Sequence, residues 1–157
     1  MIYYLYIRDN VQLGEEKMVK NRTEIDVRYA ETDQMGVVHH SSYLVWFEVG
    51  RTNFMKQHGF NYAEMEKKEI VSPVIDVHIS YKKPVIYGET VTIETWLKKY
   101  DGVRTTYGYN VVNKKSETVV FGTTEHVIVR KADFKPVLLR KVYPSWHECY
   151  KELTKEE

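Results

Sequence analysis

Hydrophobic and polar residues alternate in several segments of the chain, and this alternation predicts β-strands. The first such segment covers residues 24–29, and after residue 70 the chain becomes a succession of them. The dipeptide Asp101-Gly102 is a strong signal for a tight hairpin between two of these strands. The later strands are predicted over residues 75–81, 90–99, 103–112 and 118–130.

A different pattern occupies residues 42–57, where apolar residues lie on more than one side of a predicted helix. Ser41 or Ser42 can cap its start, and His58-Gly59 supplies a stop. We expect such a helix to be covered by other structure. Together with consecutive hairpins, it predicts an α+β domain with a curved, mostly antiparallel five-stranded sheet wrapped around a long central helix. Shorter helices are expected over residues 62–68 and from Ser145.

The domain organisation follows from where the periodic pattern begins. Residues 1–22 show no sustained period, and we interpret them as an N-terminal extension. One hypothesis is that Met18 is the natural start, and the alternative is an arm that packs on a neighbour. Residues 23–157 contain neither an internal repeat nor a linker, so they are predicted to form a single domain.

Composition narrows the class of protein. A formal net charge of +1 gives no indication of binding to nucleic acid or to an anionic membrane. Cys149 is the sole cysteine, which excludes an internal disulfide framework and a cysteine-based zinc cluster. No apolar run has the length of a membrane span, and the opening segment lacks a signal-peptide cleavage site. We therefore expect a cytoplasmic protein without membrane insertion.

Candidate chemistry is concentrated in residues 29–51, which read YAETDQMGVVHHSSYLVWFEVGR. Asp33 lies in a turn that ends at Gly36, shortly before the predicted helix. The first N–H groups of a helix have no partner within it, and they can stabilise a developing oxyanion. A carboxylate next to such a helix end suits acyl transfer from a substrate with a good leaving group.

The chain resembles the hotdog-fold acyl-CoA thioesterases, in particular the hydroxybenzoyl-CoA thioesterase family and its Tol-Pal-associated branch. The resemblance rests on VRYAETDQMGVVHHSSYLVWFEVGRTNFM, with weaker agreement in VSPVIDVHISYKKPVIYGETV. It covers roughly residues 23–130. It implies a hotdog fold and hydrolysis of acyl-CoA to free acid and CoA. It also implies no cofactor, since CoA is part of the substrate, and a homodimer or homotetramer with active sites at subunit interfaces.

The resemblance also implies roles for individual residues. Asp33 would be the catalytic carboxylate, either as nucleophile or as general base, and Tyr29 and His40 would assist it. The backbone N–H groups of His40, Ser41 and Ser42 would form the oxyanion hole. The alternatives from the residues alone are a turn role for Asp33, a core role for Tyr29 and a structural hydrogen-bonding role for His40.

The helix also offers candidates for the acyl pocket, namely Tyr43, Phe47 and Glu48. The alternatives are that the aromatic residues belong to the core and that Glu48 pairs with Arg51, three residues further along one helical side. The branch commonly carries an aromatic residue at the position of His39, a departure that concerns the preference of the acyl pocket.

Paired histidines and paired basic residues are further candidate ligand sites. The neighbouring His39-His40 is a poor metal site, because adjacent residues on an extended chain point to opposite sides, and no metal is expected. Lys82-Lys83, Lys98-Lys99 and Arg130-Lys131 at strand ends are candidates for contacts with CoA phosphates or are simply solvated. The rival functions are an acyl-carrier-protein thioesterase and a non-catalytic acyl-CoA-binding module.

Overall fold

The computed structural model describes residues 18–155 and contains a five-stranded antiparallel sheet with one long helix, α1 (Ser42–Gln57), packed on it. The strands, in chain order, are β1 (Asn21–Asp26), β2 (Ile70–Val71), β3 (Val74–Tyr81), β4 (Thr90–Tyr100), β5 (Arg104–Val112), β6 (Thr118–Val127) and β7 (Val129–Arg130). The shorter helices are α2 (Tyr62–Lys67), α3 (Leu139–Val142) and α4 (Pro144–Leu153).

The main sheet has the strand order β1-β4-β5-β6-β3, and each neighbouring pair is antiparallel. This confirms the predicted α+β fold with five antiparallel strands. The predicted strand over residues 118–130 is wrong at its end, because the chain leaves the main sheet after β6. The short β7 instead pairs with β2 in a separate two-stranded sheet.

The hairpin predicted at Asp101-Gly102 is confirmed between β4 and β5. Gly102 has a φ of +98°, a conformation that residues with a Cβ rarely adopt. The Asp101 carboxylate accepts hydrogen bonds from the N–H groups of Val103 and Arg104, at 2.9 and 2.6 Å. The turn is thus stabilised by its own side chain, which is why a two-residue signal was enough to locate it.

The inner side of α1 forms the centre of the core. Trp46, Phe47 and Phe54 are almost completely buried against the sheet. Gly50 permits the close approach, because a Cβ at that position would lie 2.6 Å from the hydroxyl of Thr95 on β4. The predicted long central helix and its stop are confirmed, since α1 ends at Gln57 and Gly59 follows with a φ of +83°.

The outer side of α1 differs from the prediction. Leu44, Val45 and Val49 are exposed, whereas the sequence suggested a helix covered all round. The sheet covers the inner side of the helix, and these three residues face away from it. Residues 18–155 therefore leave an apolar outer stripe on α1.

The first strand begins earlier and ends earlier than predicted. β1 covers Asn21–Asp26, and the chain then forms a 3₁₀ turn over Tyr29–Glu31 instead of continuing as a strand. β1 thus starts within the last residues of the proposed extension, and Asn21 is buried. The proposal that Met18 is the natural start concerns residues 1–17, which lie outside the described part of the chain.

Between residues 18 and 155, no helix is both long and apolar enough to cross a membrane.

Candidate functional site

Asp33 lies in a tight turn that is held mainly by hydrogen bonds within the turn itself. Its N–H donates to the carbonyl of Val37, and its carbonyl accepts from the N–H of Gly36, both at 2.9 Å. Its Oδ1 accepts from the N–H of Met35 at 2.8 Å. Gly36 has a φ of +76°, so the predicted end of the turn is confirmed. Asp33 is half-buried, and its Oδ2 has no hydrogen bond to residues 18–155.

Two backbone contacts fix this turn to the rest of the domain. Thr32 and Val38 form an isolated antiparallel bridge at its base. Val38 donates its N–H to the carbonyl of Val85 at 2.8 Å, and His39 donates to the carbonyl of Glu31 at 2.8 Å. The turn is therefore a closed loop held between the 3₁₀ turn and the segment after β3.

Glu31 is a positioning residue that the sequence did not reveal. Its side chain is buried, and its carboxylate accepts three hydrogen bonds of 2.8–2.9 Å, from the Arg28 backbone, the Arg28 guanidinium and the Trp46 indole. Burial acts to raise the pKa of Glu31, but the hydrogen bonds from Arg28 and Trp46 outweigh it and hold the pKa below its usual value. Glu31 thus joins the end of β1 to the central helix, directly before the Asp33 turn.

The spacing of Arg28 and Glu31 was a local signal for their pairing. The hydrogen bond from Trp46 had no such local signal, because that residue is fifteen positions away and its orientation depends on how α1 packs.

The start of α1 offers fewer free N–H groups than the sequence suggested. The N–H of Ser42 donates to the His39 carbonyl at 2.9 Å, and the N–H of Ser41 donates to His39 Nδ1 at 3.3 Å. The N–H of His40 has no acceptor among the described residues. Of the three N–H groups assigned to an oxyanion hole, those of Ser41 and Ser42 are therefore already bonded to His39. The oxyanion hole itself stays a prediction.

The serines do not cap α1 as expected. Ser41 occupies the N-cap position, but its hydroxyl bonds to His39 Nδ1 at 2.8 Å instead of to the helix backbone. The hydroxyl of Ser42 donates to the carbonyl of Glu31 at 3.2 Å. Both hydroxyls therefore hold the loop that precedes the helix.

His39 and His40 lie side by side, with ring centroids 4.1 Å apart. Their side chains do not point to opposite sides as predicted, because the backbone turns at His40 and is not extended. Tyr29 is 76% exposed and contacts Tyr87 edge-on, so the alternative that it belongs to the core was also wrong. His40 is exposed, and its carbonyl accepts from the hydroxyl of Tyr81 at 3.0 Å.

Two of the three acyl-pocket candidates are core residues in this chain. Phe47 stacks on Tyr109 with ring centroids 4.2 Å apart. Tyr43 packs against Trp46, and burial, helped by the nearby Tyr81 and Glu89, raises the pKa of Tyr43 to about 12.

The predicted pairing of Glu48 with Arg51 was wrong. Arg51 donates to the hydroxyl of Tyr109 at 3.1 Å, and no ion pair joins it to Glu48. Glu48 is exposed and lines a cavity of about 280 Å³ beside the second half of α1. Neither Asp33 nor His40 lines this cavity. The acyl-pocket assignment stays a prediction.

Of the three basic pairs, Lys82-Lys83 is the one at the same end of the sheet as the start of α1. The preceding Tyr81 bonds to the His40 carbonyl. Lys98-Lys99 lie at the far end of β4. Arg130-Lys131 lie where β7 ends, also on the far side. In residues 18–155, no group of three or more His, Cys, Asp or Glu side chains is arranged to hold a metal ion.

These features define a class of protein: an α+β domain with an acidic turn placed directly before a central helix. The sequence model of the thioesterase-like superfamily matches residues 27–142. The chain therefore belongs to the thioesterase-like superfamily and is a thioester hydrolase with a hotdog fold, as the sequence predicted.

Individual relatives agree with this family. The chain is 51% identical to YneP of Bacillus subtilis over 86% of this chain and 98% of that protein, which is provisionally named an acyl-CoA thioesterase. It is 25% identical to the acyl-CoA thioester hydrolase YbgC of Escherichia coli, over 76% of this chain and 90% of that protein. A solved structure of a DHNA-CoA thioesterase from Staphylococcus aureus superposes with a TM-score of 0.85 and 44% identity, covering 87% and 91% of the two chains.

Proposed function

We propose that this protein hydrolyses acyl-CoA thioesters to free acid and CoA, with Asp33 as the catalytic carboxylate. The observation that carries this proposal is that Oδ2 of Asp33, in a hydrogen-bonded turn just before α1, has no hydrogen bond to residues 18–155. The names of the relatives support acyl-CoA as the substrate class.

Thioester hydrolysis suits a site of this kind. The leaving thiolate has a conjugate-acid pKa of about 8.5 on the cysteine model, so its departure needs little help from a general acid. Asp33 either attacks the carbonyl carbon, forming a mixed anhydride that water then hydrolyses, or removes a proton from an attacking water. Both routes pass through a tetrahedral oxyanion, which needs preorganised N–H donors.

The donor that we assign to this oxyanion is the backbone N–H of His40, because it has no acceptor within the described residues. The Tyr81 hydroxyl donates to the His40 carbonyl, which belongs to the peptide that follows this N–H. The exposed side chains of His40 and Tyr29 lie on either side of the Asp33 turn in the sequence and are assigned to positioning the thioester and water.

We also propose that the protein acts as a homo-oligomer whose active sites lie at subunit contacts. The edge strand β3 exposes the apolar residues Val74, Ile75 and Val77, and α1 exposes its outer stripe. Exposed apolar surface of this extent, on an unpaired sheet edge, is typical of an interface. Tyr81 ends β3 and contacts His40, so this surface adjoins the proposed site.

Lys82 is the cation that we assign to the CoA phosphates. It lies at the same end of the sheet as His40, and no ion pair joins it to a carboxylate in residues 18–155. Its neighbour Lys83 forms an ion pair with Glu117 at 2.6 Å, which leaves Lys83 less available for contact with a phosphate.

A panel of acyl-CoAs of graded length, together with aromatic acyl-CoAs, tests the proposed function. Release of CoA is followed with a thiol reagent on the purified protein. We expect turnover of at least one class of acyl-CoA, with a KM that rises with ionic strength because salt screens the contact between Lys82 and phosphate. Hydrolysis of a thioester on acyl-carrier protein without hydrolysis of any acyl-CoA would contradict the proposal. Binding of acyl-CoA without hydrolysis would also contradict it.

A further inference from the structure

His39 contacts the start of α1 through both its backbone and its side chain. Its carbonyl accepts from the N–H of Ser42 at 2.9 Å, and its imidazole Nδ1 accepts from the N–H of Ser41 at 3.3 Å. Its own N–H donates to the carbonyl of Glu31 at 2.8 Å, so the residue is also joined to the 3₁₀ turn. His39 therefore connects that turn to the first two residues of the helix start.

These contacts hold the two peptide planes on either side of the His40 Cα. A peptide unit is planar and trans, so the direction of its carbonyl sets the direction of its N–H. The plane that contains the His40 N–H also contains the His39 carbonyl, to which Ser42 donates. In the next plane, the Tyr81 hydroxyl donates to the carbonyl of His40. The N–H of that same plane belongs to Ser41 and donates to His39 Nδ1. The His40 N–H, which we assign to the oxyanion, thus lies between two held units.

The hydrogen bond from the Ser41 backbone determines the tautomer of the His39 ring. A backbone N–H can only donate, so Nδ1 must accept and carries no proton. The Ser41 hydroxyl, 2.8 Å from the same nitrogen, is then a second donor to it. The proton of the neutral ring lies on Nε2. The ring also packs against that of His40, with centroids 4.1 Å apart, so it contacts a side chain that we assign to the substrate.

We propose that His39 is a positioning residue for thioester hydrolysis, with Nδ1 holding the Ser41 N–H so that the His40 N–H keeps its direction toward the oxyanion. This role rests on the proposed function, because His39 acts through His40 and takes no part in making or breaking bonds. A bond from a side chain to the N–H two residues later is the one that asparagine makes in an Asx-turn. The branch that the chain resembles commonly carries an aromatic residue here, and a phenylalanine ring has no such acceptor.

Two substitutions separate the acceptor from the ring. His39→Asn keeps an acceptor for the Ser41 N–H in Asx-turn geometry, whereas His39→Phe keeps a flat ring and removes the acceptor. On an acyl-CoA that wild type hydrolyses, we expect His39→Phe to lose about fivefold in kcat, which corresponds to one neutral hydrogen bond. Its KM should stay within about twofold, since the oxyanion forms only in the transition state. His39→Asn should keep kcat within about twofold of wild type.

His58→Phe is the matched control. His58 follows the other end of α1, and its Nδ1 also contacts a nearby backbone group, the carbonyl of Phe54, at 2.8 Å. This variant should keep the kcat and KM of wild type.

The ¹⁵N spectrum of histidine-labelled wild type tests the role without turnover. At about pH 8, where histidine is mostly neutral, we expect the proton of His39 on Nε2, with its signals assigned by their loss in His39→Asn. A proton on Nδ1 would overturn the role of His39, because that nitrogen could not then accept from Ser41.

A wild-type kcat in His39→Phe would also overturn it, as would a loss in His39→Asn as large as that in His39→Phe. Should His39→Phe not fold, the kcat of His39→Asn and the tautomer decide. A wild-type protein that hydrolyses no acyl-CoA would instead overturn the proposed function itself, which distinguishes the two failures.

Discussion

Two acidic side chains, two residues apart, have opposite environments in this protein. Glu31 is buried, and both of its oxygens are hydrogen-bonded, so it can hold structure but cannot react. Asp33 is half-buried, and its Oδ2 has no hydrogen bond within the described part of the chain. Environment therefore distinguishes the structural carboxylate of Glu31 from the proposed catalytic carboxylate of Asp33.

At the residue scale, we predict a pH dependence of stability from His126. Burial, and then the charge of Arg51, lower the pKa of His126 to about 4, although the Ser72 carbonyl acts in the other direction. The unfolded chain binds a proton at this histidine below about pH 6.5, whereas the folded chain does not until about pH 4. Stability therefore falls as the pH decreases through this window, by roughly 3 kcal/mol in all.

Denaturant unfolding of wild type and His126→Gln between pH 7 and pH 4 measures this effect. The variant should lose less stability across the window, since glutamine does not titrate. Equal slopes of unfolding free energy against pH in the two proteins would show that His126 is not held neutral in the fold.

The sequence predicted single residues well where their partners are local. Asp33, Gly36 and the hairpin aspartate Asp101 all form hydrogen bonds within their own turns. A few neighbouring residues were therefore sufficient to predict these turns. Glu31 and His126 depend on residues far along the chain, and nothing in their local sequence indicates burial. The free N–H groups at the start of α1 were overestimated, because His39 accepts from Ser41 and Ser42.

At the scale of elements, the outer stripe of α1 and the edge strand β3 are apolar surfaces that residues 18–155 leave exposed. The periodic pattern predicted α1 correctly but assumed that its whole circumference is buried within the chain. The exposed Leu44, Val45 and Val49 are as apolar as core residues, so the pattern cannot distinguish burial within a chain from burial between chains.

We therefore predict that Val45→Glu dissociates the oligomer. A charge in the middle of the apolar stripe is unfavourable in an interface and acceptable on a free helix surface. Sedimentation velocity should show a dimer or larger species for wild type and a monomer for the variant, with circular dichroism unchanged.

Phe134→Glu is the control, because Phe134 is also exposed but lies in the turn after β7. This variant should sediment like wild type. A monomeric wild type, or a Val45→Glu variant that stays oligomeric, would contradict the proposed contact surface.

At the scale of the whole molecule, α1 forms part of two separate regions. Its start is next to the Asp33 turn, and its second half forms one wall of the cavity that contains Arg51. The fold could be predicted from sequence because strand alternation, tight turns and one long apolar helix leave few arrangements. The cavity could not, since its wall combines residues from α1, α2, the sheet and α4.

The most direct test of the account is the turnover number of Asp33→Asn on an acyl-CoA that wild type hydrolyses. Asparagine can still accept the bond from Met35, so the turn is kept while the carboxylate is lost. Asp26→Asn, which changes an exposed aspartate at the end of β1, is the matched control. We predict that Asp33→Asn loses about 100-fold or more in kcat while Asp26→Asn resembles wild type, and a fully active Asp33→Asn would contradict the account.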